Sequence, residues 1–452
     1  MTTLSLTDAE RTAFARVANA DAPPGAIVRD FDALLDYLST DGIPVSPKTS
    51  EFAIARLPEL NALLTHPVPI GLHRGRQTSY PNVAGLHLLL RFSRLGKVDR
   101  FGSTPRMALN TEMAAKWQLL NPTERYFSLL DRWWSFADFE QSRFGLVADR
   151  MAEYRCTFLK RHRSGSRAKE RDEKWQVAMF GALGMKQIAL MQMFGLLDIV
   201  SDQAVSGKGW QIKRMVATPW GLSASATYLR AFGYTSTELL AHLLNPSGEV
   251  SVEEEVPSEE EMDRPPFFAW ADAVIPFFPA WRNSLGESEA VEPFQGNVTF
   301  KVSLGPSVWR RIVMPAESAF ADLAQFILDA FEFDDDHLYQ FRYQDEYTTL
   351  RILHDPSCRD VDGDYADEVS LGKAGLFPQQ LVEFHYDFGD DWRFDVRVER
   401  LDASETGAEP AVLARVRIPH QTGHGFQSKL DSDSTANWTP IPEQTGQSYV
   451  IS

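Results

Sequence analysis

Cysteine is nearly absent: two occur in 452 residues, Cys156 and Cys358, far apart and with no CxxC spacing. A disulfide framework and a cysteine-based structural zinc site are thereby excluded. No uninterrupted apolar run approaches the ~18 residues that suggest a membrane-spanning helix. The opening MTTLSLTDAERTAF has neither the basic n-region nor the apolar h-region of a secretory signal. A cytoplasmic, reducing location with no membrane partner is expected. Common catalytic signatures are missing too: no GxxxxGKS/T, no GxGxxG after a strand, no GxSxG and no HExxH. A non-enzymatic role is therefore expected ahead of an enzymatic one, with no cofactor and no resident metal.

What is present is a globular composition, 44% hydrophobic and 24% charged, in a chain long enough for several domains. The net charge of −17 conceals a division. Residues 1–250 hold 30 Lys+Arg against 24 Asp+Glu, a balance of +6, and residues 251–452 hold 15 against 38, a balance of −23. The acidic half repels nucleic acid, so a phosphate-binding face is expected only in the first half.

Along that half, Phe31, Leu34, Leu35 and Leu38 form the stripe of an amphipathic helix, and Leu57, Leu60, Leu63 and Leu64 repeat it. SYPNVAGLHLLLRFSRLG predicts a third helix with Pro81 in its first turn and Gly96 beyond its end. Its apolar side carries Val83, Leu86 and Leu90, and its polar side His87, Arg91 and Arg94. KVDRFGSTPRMALN then reads as two short strands around a turn. Three helices followed by such a turn is the order of a winged helix, expected over residues 1–140. Asn121, Pro122 and Glu124 predict a capped helix start for NPTERYFSLLDRWW. A second helical domain over 141–245 ends in WQIKRMVATPWG and LSASATYLRAFG, which read as a smaller helix-and-wing arrangement.

Residues 246–265 carry eight acids and one arginine with the flanking NPSG and read as a linker. PPFFAWADAVIPFFPAW, within 266–292, is too aromatic for a linker and is expected to dock as a strap on a neighbouring domain. Residues 293–400 alternate like strands, with a helix at ESAFADLAQFILDAF, and predict an α+β domain with a mostly antiparallel sheet. Residues 401–452 read as an irregular tail. The expected fold class is thus a multidomain chain with a mainly α, winged-helix-like N-terminal half and an α+β C-terminal domain.

FHYDFGDDWRF, residues 384–394, resembles chemistry more than any other stretch. Pairing Phe388 with Trp392 across Gly389-Asp390-Asp391 sets Tyr386 against Phe394 and Phe384 against Val396, leaving one face apolar. The other face then pairs Asp387 with Arg393, His385 with Asp395 and Glu383 with Arg397, uniting opposite charges. A five-residue loop from Phe388 to Trp392 preserves these pairs. The competing reading uses His337, His354, His385, Asp387, Asp390 and Asp391, with Asp334, Asp335 and Asp336, as metal ligands or an acid-base set. No HxxxH or HxH spacing links His337, His354 and His385, so His337, His385, Asp387 and Asp390 stand only as the weak catalytic candidates.

GPSVWRRIVMPAESAFADLAQFILDAFEFDDDHLYQF and VEFHYDFGDDWRFDVRVE together resemble the plasmid pRiA4b ORF-3-like family over about residues 294–400. LLDYLSTDGIPVSPK, RGRQTSYPNVAGLHLLLR and LNPTERYFSLLDRWW are similar to the helical extension of longer members. The resemblance implies an α+β domain without established activity, associated with plasmids and mobile elements. Some relatives carry a resolvase-like label, but the nucleophile and arginine set of a recombinase is not found in the motif stretches. After Glu399 the chain departs from the family's usual acidic, Pro-rich continuation.

Three functions follow in order. The first is a nucleic-acid-associated accessory or regulatory factor. Arg74, Arg76, Arg91, Arg94, Lys97, Arg100 and Arg106 face only Asp99 between His66 and Arg106, and Asn82 and His87 stand where base edges would be read. About 14 residues between the second and third helices exceed the compact helix-turn-helix connection. The second is a protein-interaction module, whose acidic C-terminal half would take another protein as partner. The third is a metal-dependent enzyme built on the His/Asp cluster.

Overall fold

The computed structural model describes residues 4–99, 104–137, 148–167, 173–232, 266–286, 293–359, 363–404 and 409–415. The expected linker 246–265, most of the expected tail and Arg100 lie outside them. The chain divides into two compact units: 1–43, 51–97 and 108–288 form the first, and 44–50, 98–107 and 289–452 the second.

The first unit begins with α1 (Asp8–Ala18), closed by a capping box between Thr7 and Glu10. α2 (Ile27–Asp41) buries Phe31, Leu34, Leu35 and Leu38, the predicted stripe. β1 (Ile43–Pro44), α3 (Leu57–Leu63), α4 (Pro81–Phe92), β2 (Gly96–Val98) and β3 (Arg106–Leu109) follow, and the three strands form a sheet of order β1-β3-β2. α5 (Thr111–Gln118) leads to α6 (Pro122–Asp131), where Asn121 and Glu124 make the predicted capping box. α6 runs into a π-helical turn, Arg132–Ala137, that buries Trp133 and Trp134.

Then the pattern repeats. α7 (Ala148–Arg161), β4 (Ser166–Arg167), α8 (Glu173–Leu183), α9 (Met185–Met193), β5 (Leu197–Ser201) and β6 (Ile212–Ala217) run helix, strand, helix, helix, strand, strand. Their sheet has the order β4-β6-β5, again first, third, second. α4 and α9, the third helices of the two repeats, pack against each other. All residues from Pro81 to Leu90 are buried. Gly85 permits the close approach, because a Cβ there would lie 3.0 Å from the Leu190 side chain.

α10 (Pro219–Arg230) packs on α7 and α1, and Arg230 closes a 2.8 Å ion pair to buried Glu10. The aromatic segment expected to dock as a strap holds a helix, α11 (Pro266–Val274), which buries Phe267, Trp270, Ala271 and Val274 within this same unit. Beyond it the Trp281 ring stacks on Phe127 at 3.8 Å. Alternating small and aromatic residues leave an amphipathic helix more to bury than a strand would.

The second unit is a sheet of order β11-β10-β9-β12-β13-β7-β8-β14 with one helix. Its elements are β7 (Asn297–Ser303), β8 (Trp309–Pro315), α12 (Phe320–Phe331), β9 (Tyr339–Gln344), β10 (Leu350–His354), β11 (Asp364–Tyr365), β12 (Leu381–Tyr386), β13 (Trp392–Asp402) and β14 (Ala411–Arg415). All the described pairings are antiparallel except β10 with β11, as the alternating hydrophobic pattern predicts. α12 turns Phe320, Leu323, Ile327, Leu328 and Phe331 inward onto Phe300, Phe341, Phe384 and Phe394. The sheet extends past the expected domain end: β13 continues to Asp402 and β14 adds an edge strand.

The hairpin at 381–402 has the predicted faces but not the predicted register. Tyr386 stands opposite Trp392, Phe384 opposite Phe394 and Val382 opposite Val396, two residues from the expected pairs. A slip of two keeps every side chain on its own face, so the hydrophobic pattern does not distinguish the two registers. The loop does. Asp387 and Asp391 adopt left-handed backbone at φ 51° and 56°. Asp387 Oδ1 accepts from the amides of Gly389 (2.9 Å) and Asp390 (3.3 Å). The Asp391 amide donates to the Asp387 carbonyl at 2.7 Å. Aspartate tolerates this conformation and closes its own turn. On the outer face Glu383 then stands opposite Asp395 and His385 opposite Arg393, so the expected direct charge pairing is wrong. The charges meet diagonally: Arg393 reaches Glu383 at 3.2 Å and Asp391 at 2.8 Å. Exposed pairs contribute only a few tenths of a kcal/mol each, less than the hydrogen bonds of the loop.

Candidate functional site

Of the predicted basic surface, Arg74, Arg76, Arg91, Arg94, Lys97 and Arg106 are described, on a loop, a helix end and two strands. Arg91 and Arg94 are half-buried at the C-terminal end of α4, and the Arg91 guanidinium lies 5.5 Å from the Phe92 ring centroid. Arg74 and Arg76 are exposed on the loop before it, roughly a helix length of 18 Å away. Lys97 and Arg106 lie half-buried on β2 and β3. His87 is only 5% exposed and packs edge-on to Phe52 at 4.7 Å. Asn82 is 1% exposed and donates from Nδ2 to the His66 carbonyl. The base-reading roles expected of His87 and Asn82 are therefore corrected: a helix apolar nearly all round is covered on its histidine side as well.

What the fold does assemble is a junction between the two repeats. The Gly71 amide donates to the Lys208 carbonyl and the Gly207 amide to the Gly71 carbonyl, both at 2.9 Å. The loop before α4 is thereby pinned to the turn between β5 and β6. A Cβ at Gly71 would lie 1.8 Å from the Val205 carbonyl oxygen, so only glycine allows this approach. Just beyond the pin stand His73, Arg74 and Arg76, exposed and without an ion-pair partner among the described residues. Lys208 lies in the pinned turn, and Lys213 and Arg214 are exposed on the adjoining β6. Lys208, Lys213 and Arg214 were not anticipated. Their only sequence signal is GKGWQIKR, a basic turn before a strand.

The His/Asp cluster comes apart. His337 Nε2 lies 3.5 Å from Asp336 and 3.7 Å from Asp387, and its ring lies 6.1 Å from that of Tyr386. Tyr386 points into the core and donates to the Asp334 carbonyl and, at 3.2 Å, to Asp336. His385, the next residue along the strand, points to the opposite face, where its Nε2 lies 2.8 Å from Asp391 and its ring meets Phe388 edge-on. The sheet itself separates the two histidines. His354 stands on the outer face opposite Gln340, beside Tyr365. Asp390 is exposed in the loop and Asp335 is exposed in the turn before His337. Among the described residues no group of three His, Cys, Asp or Glu is placed to hold a metal ion.

One buried carboxylate went unpredicted. Asp345 closes the turn between β9 and β10, accepting from the amides of Tyr347 (3.0 Å) and Thr349 (2.9 Å) and from Arg351 Nε (3.1 Å). Burial raises its carboxyl above the usual range in spite of Arg351 and the two amides. Its partners are those of a turn staple, and the polar run DEYTT gives no warning that the turn is buried.

No helix among the described residues is long and apolar enough to cross a membrane. No curated protein matches the chain significantly. Among solved structures, the crystal structure of a protein of unknown function from Methanosarcina mazei Go1 is 25% identical, covering 27% of this chain and 70% of its own, with a TM-score of 0.24. Over residues 294–431, a span that takes in β7 to β14, the chain matches the family model described as plasmid pRiA4b ORF-3-like protein.

Proposed function

We propose that this chain is a nucleic-acid-associated accessory or regulatory protein, without enzymatic activity of its own, of the kind carried by plasmids and mobile elements. In this reading the N-terminal unit holds two winged-helix-like modules. Support comes from the order helix, strand, helix, helix, strand, strand, found twice with the same sheet order. Groove reading by a third helix is not available, because α4 and α9 cover each other. Contact falls instead to the loop–turn junction, where Gly71, just before His73, Arg74 and Arg76 in the chain, is bonded to the turn carrying Lys208. Such a junction neutralises backbone phosphates without reading bases.

That juxtaposition carries the reading, and gel retardation of duplex DNA at low and moderate salt tests it. Arg74→Glu with Arg76→Glu is expected to weaken binding about tenfold or more at low salt, each lost phosphate contact reducing the salt slope by about 0.9. Arg91→Glu with Arg94→Glu is expected to change it less, since both side chains are half-buried. Unchanged binding in the first pair removes the reading.

A further inference from the structure

The face of the eight-stranded sheet opposite α12 holds a row of cations in the half of the chain whose sequence balance is −23. Arg397 of β13 stands opposite Lys301 of β7, and Lys301 stands opposite Arg311 of β8. Strand alternation places all three away from the core, since Val396, Val398, Phe300, Val302 and Ile312 are buried on the other side. Like charges directly opposite each other destabilise a strand pair. Two such pairs in succession are unfavourable for the strand pairing itself.

Neighbouring acids cancel only one of the three. Glu399 takes Arg311 in two hydrogen bonds of 2.5 and 3.0 Å. Lys301 Nζ has instead the ring of Trp309, 4.9 Å from its centroid, and the Arg311 guanidinium lies 5.5 Å from the same ring. Arg397 is exposed and has no ion-pair partner among the described residues. On the same face Arg342 is likewise exposed and without an ion-pair partner among the described residues, though Glu383 stands opposite it in register. On this face the strands set Lys301, Arg311, Arg342, Arg393, Arg397 and Arg400 against Glu383, Asp395, Glu399 and Asp402, with Asp391 of the loop pairing Arg393.

We propose that the row Arg397, Lys301 and Arg311, with Trp309, binds the backbone of a single-stranded nucleic acid. The three cations span two strand spacings, about 10 Å, a track suited to successive phosphates more than to one small anion. A broad sheet face receives an extended strand, whereas duplex grooves admit a helix or a narrow ribbon. Trp309 supplies the aromatic surface on which a base stacks once its two cations turn to phosphates. Polyglutamate brings charge but no ring to that tryptophan. The site lies in a different unit from Arg74 and Arg76 and does not depend on the reading of that junction.

Fluorescence anisotropy of the full chain with a labelled oligothymidylate of roughly 20 nucleotides, longer than one binding footprint, tests the site. Lys301→Glu with Arg397→Glu is expected to weaken binding about tenfold or more at low salt. The slope of log affinity against log salt should fall by about 1.4, two contacts at ~0.7 each. The comparison is made in a chain already carrying Arg74→Glu and Arg76→Glu, so that phosphate contacts at the loop–turn junction contribute to neither measurement. Melting followed by circular dichroism checks that the double variant folds, and the milder Arg397→Gln, at an exposed position, should weaken binding in the same direction. The site is overturned by a folded double variant that binds the oligonucleotide as the parent does. Competition by polyglutamate as effective as by the unlabelled oligonucleotide overturns it equally.

Discussion

His162 shows how one buried side chain ties the first unit to pH. Its ring is 1% exposed, lies 4.5 Å from that of Phe158 and places Nδ1 2.6 Å from Ser166 Oγ. Burial, helped by the charge of Arg161, pushes its pKa down to about 4. The folded state thus holds the neutral imidazole. As pH falls below the ordinary value near 6.5, the unfolded chain gains a proton that the folded chain refuses, and stability is lost until about pH 4. The shift corresponds to at most ~3 kcal/mol. Thermal unfolding of His162→Gln is expected to show a flatter dependence on pH between 6.5 and 4 than the parent. Parallel curves over that window would exclude His162 as the cause.

Among the elements, α6 couples a helix cap to a distant segment through Glu124. Its Oε2 accepts from the Asn121 amide at 2.9 Å to complete the capping box. Its Oε1 accepts from the amides of Arg282 (3.2 Å) and Asn283 (2.9 Å) and from Asn283 Nδ2 (2.9 Å). Burial alone would raise this carboxyl, but the donors outweigh it and hold the pKa below the usual range. Glu124→Ala removes the cap and strands buried donors, an expected loss of about 2–4 kcal/mol in urea unfolding. Glu124→Gln should cost roughly half that. A loss under about 1 kcal/mol for the alanine variant would mean that the 282–283 segment contributes little. Between α4 and α9 the critical element is Gly85. Gly85→Val is expected to cost about 1–3 kcal/mol by overpacking against Leu190.

At the scale of the whole molecule, the acids and bases are sorted along the chain more strongly than they are sorted in space. A basic row lies on the sheet of the acidic half, and the cations of the basic half are divided between a loop, a helix end and two strands. Net charge per half therefore predicts long-range repulsion or attraction but not where a polyanion sits. Among the described residues no three histidines, cysteines, aspartates or glutamates come together to hold a metal ion. Dialysis against a chelator is expected to leave the unfolding temperature of the full chain unchanged. A fall of several degrees would restore the metal reading of His337 and His385.

The helices α2, α3, α4, α6 and α12, the hairpin faces and the cap at Asn121 were legible in the sequence, because these follow from spacing along a few turns or strands and from local backbone chemistry. Phe31, Leu34, Leu35 and Leu38 lie buried as their periodicity requires. The sequence also carried the family motifs that the match over 294–431 bears out. Only the tertiary structure decided the hairpin register, because a slip of two residues leaves the hydrophobic pattern unchanged and the loop's own hydrogen bonds choose. The burial of His87 was equally out of reach, since it depends on Phe52, which comes from the segment before α3. So was the alignment of Arg397, Lys301 and Arg311, which are separated in sequence and meet only through the pairing of three strands.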